Sequence, residues 1–341
     1  MNSPQWTDRL RVPAIAAPMT DVSGPELVAA ACAAGVVGAF PTHNAGDAGA
    51  LARWLDRISE RIADLTPPGE LPAPVAANLV VHGSNSRLAG DLRAVIDGGV
   101  EVVITSVGSP RNVVGPLHEA GITVLADVAD LRHAQRALHC GVDGLVLLTA
   151  GAGGQTGWVN PFAFLRAIRE RYDGMIVLAG GVSDGAGILA AQIAGADLAY
   201  LGTRFIATTE SSAADDYRAA VVAASLDDVT TSTQITGLAA NVLTDWLAEF
   251  TDRDDAGDAG ERGAGGGFSV DRLLARRGVW AAGHSVSGAT EVIPVAELVR
   301  RLQSEIDQAR RSPRLREHRP EPVSTGGHDV GNSPRGVRPR L

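Results

Sequence analysis

Short apolar runs alternate with longer amphipathic segments from residue 12 to residue 202. Each run predicts a strand and each longer segment a helix, and several of the helices end at a glycine typical of a C-cap. Strand, helix and strand at this spacing form the βα unit, and strands this apolar belong in a parallel sheet covered on both faces. The predicted strands are VPAIAAP (12–18), VVGAF (36–40), PVAANLVV (74–81), EVVITSV (101–107), TVLADV (123–128), GLVLLT (144–149), MIVLAG (175–180) and LAYLG (198–202).

Eight such units favour an α/β fold of the closed (β/α)₈ TIM barrel type, with an open doubly wound sheet as the alternative. Residues 1–205 are expected to form this barrel. Residues 206–250 are predicted to be helices without strands, so residues 206–268 would form a small helical lid inserted after strand eight. The lid would end in a flexible, glycine-rich connection over 251–267. Residues 269–311 would return to the barrel, and residues 312–341 are expected to be a disordered tail.

The composition excludes several kinds of chemistry. The chain contains no lysine, and both Schiff-base and P-loop chemistry need a lysine amine. Its formal net charge is −9, and its only strongly basic stretch is the C-terminal tail, so no nucleic-acid partner is expected. The N-terminus lacks the apolar core of a signal peptide, and no uncharged apolar run is long enough to span a membrane. We therefore expect a cytoplasmic protein without a membrane partner.

The candidate site is predicted on the loops after the strands, where βα barrels carry their catalytic groups. The loop TAGAGGQTGW (149–158) contains four glycines, which would allow close approach to a flat or phosphorylated ligand. Loops seven and eight of such barrels often bind phosphate through backbone N–H groups. The candidate phosphate ligands in these loops are Gly180, Gly181, Gly202 and Thr203, unless the glycines only form tight turns. The phosphate would belong either to a sugar phosphate or to FMN.

Three stretches of the chain resemble the nitronate monooxygenase family, once called 2-nitropropane dioxygenases. They are GVDGLVLLTAGAGGQTGWVNPFAFLRAIR (141–169), LAGGVSDGAGILAAQIAGADLAYLGTRFIATTES (178–211) and WAAGHSVSG (280–288). The resemblance runs from about residue 13 to residue 311. It implies an FMN-dependent barrel that oxidises alkyl nitronates with O₂. Because some relatives are reductases, an NAD(P)H-dependent flavin reductase of quinones or enoyl thioesters is one alternative. A catalytically impaired flavin-binding protein is another.

The resemblance also implies roles for individual residues. Asn78 would hydrogen-bond the flavin, and Asp127 would lie beside it. The alternative role of Asn78 is that of a turn residue, and the alternative role of Asp127 is that of a helix N-cap. Arg204 would either neutralise the phosphate or form a structural ion pair. The residues expected to contact the cofactor through their backbone are Ala17 and Met19 at the flavin ring, Gly153 and Gly154 near the ring or ribityl chain, and Gly180, Gly181, Gly202 and Thr203 at the phosphate.

One position departs from the family pattern. In nitroalkane-oxidising members the residue after GAGG is a histidine that removes the carbon-bound proton, and here it is Gln155. An amide can orient an oxygen by hydrogen bonding but cannot act as a general base. A nitronate is already deprotonated, whereas a neutral nitroalkane requires the missing step. Gln155 is therefore a candidate catalytic residue, with His284 as a candidate relocated base, and His43 is predicted to be a surface-loop histidine.

Overall fold

The computed structural model describes residues 4–256, 269–275 and 277–312. Eight parallel strands close into a barrel, in which each strand pairs with the next along the chain and the last pairs with the first. The predicted (β/α)₈ barrel is therefore confirmed. The strands in chain order are β1 (Ala14–Ala16), β2 (Val37–Pro41), β3 (Val75–Val80), β4 (Val102–Ser106), β5 (Thr123–Val128), β6 (Gly144–Leu148), β7 (Gly154–Gln155, outside the barrel), β8 (Met175–Ala179), β9 (Leu198–Leu201), and β10 (Val229–Ser232) and β11 (Ala240–Leu243), also outside it.

Helices cover the outside of the barrel. Four of them begin at an Asp or Asn whose side chain accepts a hydrogen bond from the first turn, which explains where they start. The helices are α1 (Pro25–Ala34), α2 (Ala48–Leu65), α3 (Leu88–Asp97), α4 (Arg111–Glu119), α5 (Leu131–His139), α6 (Pro161–Arg169), α7 (Gly185–Ala194), α8 (Thr203–Ile206), α9 (Asp215–Ala223), α10 (Thr244–Ala256), α11 (Val270–Ala275) and α12 (Val295–Arg311).

Helix α12 completes this outer layer. It packs against both α7 and α1 and buries one apolar face there, including Leu298 and Leu302. The helix that directly follows β9 is α8, which has only four residues. Helix α12 therefore occupies the place beside α7 that a full-length eighth helix would take in a regular barrel.

A small antiparallel sheet, in the order β10-β11-β7, stands over the barrel. The prediction of helices without strands over 206–250 is therefore wrong at residues 229–232 and 240–243. Strand β11 pairs with β10, which precedes it closely in sequence, and on its other edge with β7, which lies in the loop after β6. The pairing with so distant a strand as β7 leaves no local pattern. The predicted flexible connection is also wrong at its start, since α10 continues to Ala256. The rest of that connection, up to residue 267, and the predicted tail from residue 313 lie outside the described residues.

The apolar side chains form two layers. One lies inside the barrel, with Ile15, Ile104 and Leu125 among its members, and the other lies between the strands and the helices. Among the described residues, no helix is both long enough and apolar enough to cross a lipid bilayer.

Helix α1 lies directly on β2 at Gly38. A Cβ atom at that position would overlap the carbonyl oxygen of Val28 and lie 2.8 Å from Cys32 Sγ. We predict that Gly38→Ala lowers the free energy of unfolding by about 1–3 kcal/mol, because neither backbone nor a fully buried side chain can easily yield. The measurement is urea denaturation of both proteins.

Gly83→Ala is the matched control for this substitution. Gly83 is exposed in the loop after β3, and a Cβ there would meet no atom within 4 Å. This variant should change the free energy of unfolding by no more than about 0.5 kcal/mol, since surface substitutions away from close contacts usually have small effects. Equal stability losses in the two variants would contradict the proposed overlap.

Candidate active site

A cavity of about 250 Å³ opens at the carboxyl end of the barrel, between the strand ends and the small sheet. It is lined by backbone and side chains from the loops after β1, β2, β6, β8 and β9. The predicted site residues that line it are Ala17, Met19, Asn78, Asp127, Gly153, Gly154, Gln155, Gly180, Gly181, Gly202 and Thr203. The structure thus brings together every predicted site residue except His284.

The floor of the cavity carries polar side chains from four strands. Asn78 lies within β3 rather than in a turn, and its Oδ1 accepts a hydrogen bond from Ser106 at 3.2 Å. Asp127 is not the cap of α5, because Asp130 accepts the capping hydrogen bond from His133 N–H at 2.7 Å. The Asp127 carboxyl therefore remains on the cavity floor. Tyr200 of β9 lies on the same floor.

Two polar atoms of the floor have no hydrogen-bond partner among the described residues. Oδ1 of Asp127 and the hydroxyl of Tyr200 are buried and make no hydrogen bond to the described residues. Burial raises the pKa of the Asp127 carboxyl to about 7. Burial, followed by the nearby Asp127 charge, also raises the pKa of Tyr200. Unpartnered buried polar groups in a cavity are the sites where a ligand supplies the missing hydrogen bonds.

The loops after β8 and β9 form a cradle of backbone groups. Gly181 has a φ of +74°, and a Cβ there would point into open space rather than into protein. Within the described residues, no hydrogen bond uses the amide N–H of Gly181 or Thr203. The Thr203 hydroxyl accepts the N–H of Gly283 at 3.0 Å, so its own proton remains available to a ligand. Free amides and a hydroxyl in an open concavity are groups that bind phosphate.

Ala17 and Met19 line the cavity, and their backbone polar groups already make hydrogen bonds within the protein. The N–H of Ala17 donates to the carbonyl of Leu201 at 2.9 Å, and the N–H of Met19 donates to the Ser23 hydroxyl at 3.0 Å. Their carbonyl groups also accept hydrogen bonds, from Ser23 and Asn44 respectively. Because their backbone is already engaged, these two residues offer a ligand the apolar surface of their side chains.

His284 lies outside the cavity. Its side chain is exposed, and its N–H donates to the carbonyl of Gly151 at 2.9 Å. A Cβ at Gly151 would meet the His284 ring at 2.8 Å, so the ring lies on the outer side of that loop. A neighbouring contact explains the glycine at position 153, because a Cβ there would lie 2.7 Å from the amide nitrogen of Gly283. His284 therefore supports the loop and is not placed to act as a base.

His43 is buried, and the prediction of a surface histidine is wrong. Its side chain is 6% exposed and lines the cavity, and its Nε2 lies 3.0 Å from the hydroxyl of Thr20. Burial, then the charges of Arg277 and Arg87, lower the pKa of His43 to about 4, so the ring is neutral at neutral pH. The position of His43 just after the carboxyl end of β2 is the sequence feature that could have predicted its place in the cavity.

Similarity to known proteins identifies the family of the chain. A family model for nitronate monooxygenase matches residues 73–305, which is more than half of the chain. The chain belongs to the nitronate monooxygenase family. Family membership makes it an oxidoreductase.

Individual relatives within and around this family differ in the reactions they are named for. A nitronate monooxygenase of Paraburkholderia phytofirmans is 29% identical, with 87% of this chain and 93% of that protein aligned. The (3aS,4S,5R,7aS)-5-hydroxy-7a-methyl-1-oxo-octahydro-1H-indene-4-carboxyl-CoA dehydrogenase of Rhodococcus jostii is also 29% identical. That alignment covers 68% of this chain but only 62% of the relative's length.

A solved structure supports the same family. The nitroalkane oxidase of Streptomyces ansochromogenes superposes with a TM-score of 0.74 at 25% identity. The superposition covers 89% of this chain and 98% of that one. The similarity therefore includes the lid as well as the barrel.

The sequence predictions missed the cavity wall that the lid and the returning segment supply together. This wall is apolar or uncharged, and its residues are Tyr217, Ile235, Thr236, Leu238, Ala239, Ala240, Leu273, Val279 and Ala281. None of the described residues that line the cavity is a lysine or an arginine. Arg204 does not supply a charge there, because its guanidinium donates to the carbonyl of Gly288 outside the cavity. Its observed partner is thus a backbone carbonyl, and the predicted ion pair does not occur among the described residues.

The buried His43 should make stability depend on pH. Its pKa is about 4 in the folded protein and about 6.5 in an unfolded chain, so between these values the unfolded chain binds more protons. We predict that the free energy of unfolding falls as pH decreases through this window, and falls less steeply in His43→Gln. Urea denaturation at about pH 7 and about pH 5 measures both slopes. An identical pH dependence in the two proteins would show that His43 titrates normally.

Proposed function

We propose that the protein is an FMN-dependent oxidoreductase that oxidises alkyl nitronates with O₂. The observation that carries the proposal is the cavity itself. At one end it offers the free amides of Gly181 and Thr203, and on its floor it offers the unpartnered groups of Asp127 and Tyr200. Membership in the nitronate monooxygenase family supports the reaction type.

The residues of the cavity fit FMN in three respects. Gly180, Gly181, Gly202 and Thr203 would hold the phosphate through backbone amides and one hydroxyl. Asn78 and the floor groups would hydrogen-bond the polar edge of the ring, and the side chains of the β1 loop would pack against it. The described part of the chain contains no second α/β unit for an adenosine group, which favours FMN over FAD.

Bound FMN would supply the electron acceptor for the substrate and pass the electrons on to O₂. The chain's own residues would provide position and environment. The carboxamide of Gln155, held in β7 opposite Ala240, would donate a hydrogen bond to a nitro oxygen. The apolar lid wall would exclude water from the substrate side. Because Gln155 cannot take a proton, its position favours a substrate that arrives already deprotonated at its carbon.

A larger side chain at Gly181 tests whether the cradle binds the phosphate of FMN. We predict that Gly181→Val weakens FMN binding by at least about tenfold, equivalent to about 1.4 kcal/mol, because the new side chain would occupy the phosphate position. The measurement is the dissociation constant of FMN, from fluorescence quenching of added flavin.

Gly121→Val is the matched control. Gly121 has a similar φ of +76° and likewise has no atom within 4 Å of a built Cβ, but it lies between α4 and β5, outside the cavity lining. It carries the same backbone strain without the steric block. Full FMN occupancy in Gly181→Val, or equal loss in both variants, would rule out the cradle.

The substrate preference follows from Gln155. We predict that the wild type turns over a preformed propyl nitronate and reacts with the neutral nitroalkane only as fast as that compound ionises in solution. Gln155→His should raise the rate with the neutral nitroalkane by about 10²-fold or more and change the nitronate rate little. Oxygen consumption with each form of the substrate measures both rates.

His284→Ala serves as the control for Gln155→His. Because His284 lies outside the cavity, its removal should leave the preference for nitronate over nitroalkane as it is. Efficient turnover of neutral nitroalkane by the wild type that disappears in His284→Ala would instead establish His284 as the base.

The lining of the cavity favours a second candidate function, an NAD(P)H-dependent reductase of quinones or enoyl thioesters. A cavity without lysine or arginine suits an uncharged substrate carbonyl better than an anion. The similarity to a CoA-thioester dehydrogenase agrees with this alternative. Anaerobic mixing distinguishes the candidates, since bleaching of the flavin by a nitronate supports the first and bleaching by NADH or NADPH the second. Bleaching by neither would leave a flavin-binding protein without this catalysis.

A further inference from the structure

The floor of the cavity contains an ionisable pair to which the proposed oxidation assigns no proton transfer. Asp127 and Tyr200 come from β5 and β9, which do not pair with each other, and the electrostatic influence of Asp127 reaches the Tyr200 hydroxyl. Both groups have a buried polar atom without a hydrogen-bond partner among the described residues. Asp127 keeps some accessible surface because the cavity reaches it. The pair is therefore available to whatever occupies the cavity.

Among the described residues, no cation in the cavity lining balances the charge of Asp127. Strands β4 and β6 on either side carry no ionisable side chain, and the charged residues of α4 and α5 lie outside the barrel. The ionisable residues that line the cavity are Asp21, His43, Asp127, Tyr200 and Tyr217.

None of the other four provides a positive charge at the floor. Asp21 is already paired at the mouth, where its Oδ1 lies 3.1 Å from Nε of Arg277 and its Oδ2 accepts the N–H of Gly278 at 2.9 Å. His43 is neutral because burial and two nearby arginines lower its pKa to about 4. The Tyr217 hydroxyl donates to the carbonyl of Ala281. A negative charge that develops on a ligand above the floor therefore has no cation in the lining to oppose it.

Such a charge must change the ionisation of Asp127. Burial raises the pKa of the carboxyl to about 7, so at slightly alkaline pH a substantial fraction is ionised. A second negative charge nearby disfavours the carboxylate and raises the pKa further. The low dielectric of the buried floor strengthens this repulsion compared with water. The carboxylate would then bind a proton.

We propose that Asp127 takes up one proton when the ring bound above it is reduced, and releases that proton when the ring is reoxidised. This inference rests on the proposed function, since it requires bound FMN. Bound FMN would accept two electrons from an external reductant together with one solvent proton, and it would then carry one additional negative charge. A second solvent proton bonds to the Asp127 carboxylate. Two electrons and two protons are thus taken up together, and the floor gains no net charge.

The test is the pH dependence of the midpoint potential of the FMN-loaded protein, measured spectroelectrochemically from about pH 7 upward. Wild type should show two protons taken up per two electrons, and Asp127→Asn should show one. Asp21→Asn is the matched control, because it removes the other carboxylate of the cavity lining, and it should keep two. Redox-difference infrared spectra should show a protonated carboxyl on reduction in wild type and in Asp21→Asn but not in Asp127→Asn.

Each other outcome overturns the inference. One proton per two electrons in wild type would show that Asp127 does not respond to reduction. Two protons in both wild type and Asp127→Asn would place the second proton on the ring itself. The wild-type slope and its infrared spectrum decide the question even if Asp127→Asn fails to hold flavin. A protein that binds no flavin would overturn the proposed function as well, whereas a flavoprotein with nitronate activity and the one-proton slope would overturn this inference alone.

Discussion

The site depends on a close contact between two backbone segments, the glycine loop after β6 and the returning segment at residues 281–284. Gly153 and Gly283 approach so closely that a Cβ on either would overlap the other segment. Around this contact, Asn241 of β11 donates to the carbonyl of Ala152 at 2.8 Å, and Gly283 donates to the Thr203 hydroxyl at 3.0 Å. One buried junction thus joins the barrel, the small sheet and the C-terminal segment, and the cavity is the space beside it.

This junction changes the meaning of the glycines in GAGG. From sequence they predict close approach to a ligand, yet at least two of them are required by protein packing. Gly151 accommodates the His284 ring, and Gly153 accommodates Gly283. Because the loop is fixed from its outer side, its inner side can hold Gln155 in a short strand against β11. A residue that orients a substrate oxygen needs such support, since misplacement by about 1 Å can cost about 10²-fold in rate.

The sequence predicted the barrel strands and the cavity-forming loops well, because apolar runs of four to eight residues and glycine-rich strand ends are local signals. What it missed depends on contacts between distant parts of the chain. The pairing of β11 with β7 and the burial of His43 involve partners far away in sequence. The same holds for His284, whose direction is set by Gly151 rather than by its neighbours. The engaged amides of Ala17 and Met19 likewise depend on Leu201 and Ser23, which no spacing rule reveals.

A cavity whose described lining includes neither lysine nor arginine must handle anionic charge by other means, and two cases differ. A phosphate group is charged throughout the neutral pH range. Permanent dipoles such as the amides of Gly181 and Thr203 can therefore bind it. A charge that exists only while a ring is reduced is different, because a fixed cation placed for it would attract anions in the oxidised state as well. A carboxyl whose pKa lies near 7 responds only when the charge is present. An Asp127 oxygen without a partner, on a floor that has no cation among the described residues, therefore suits a transient charge, just as free amides suit a permanent one.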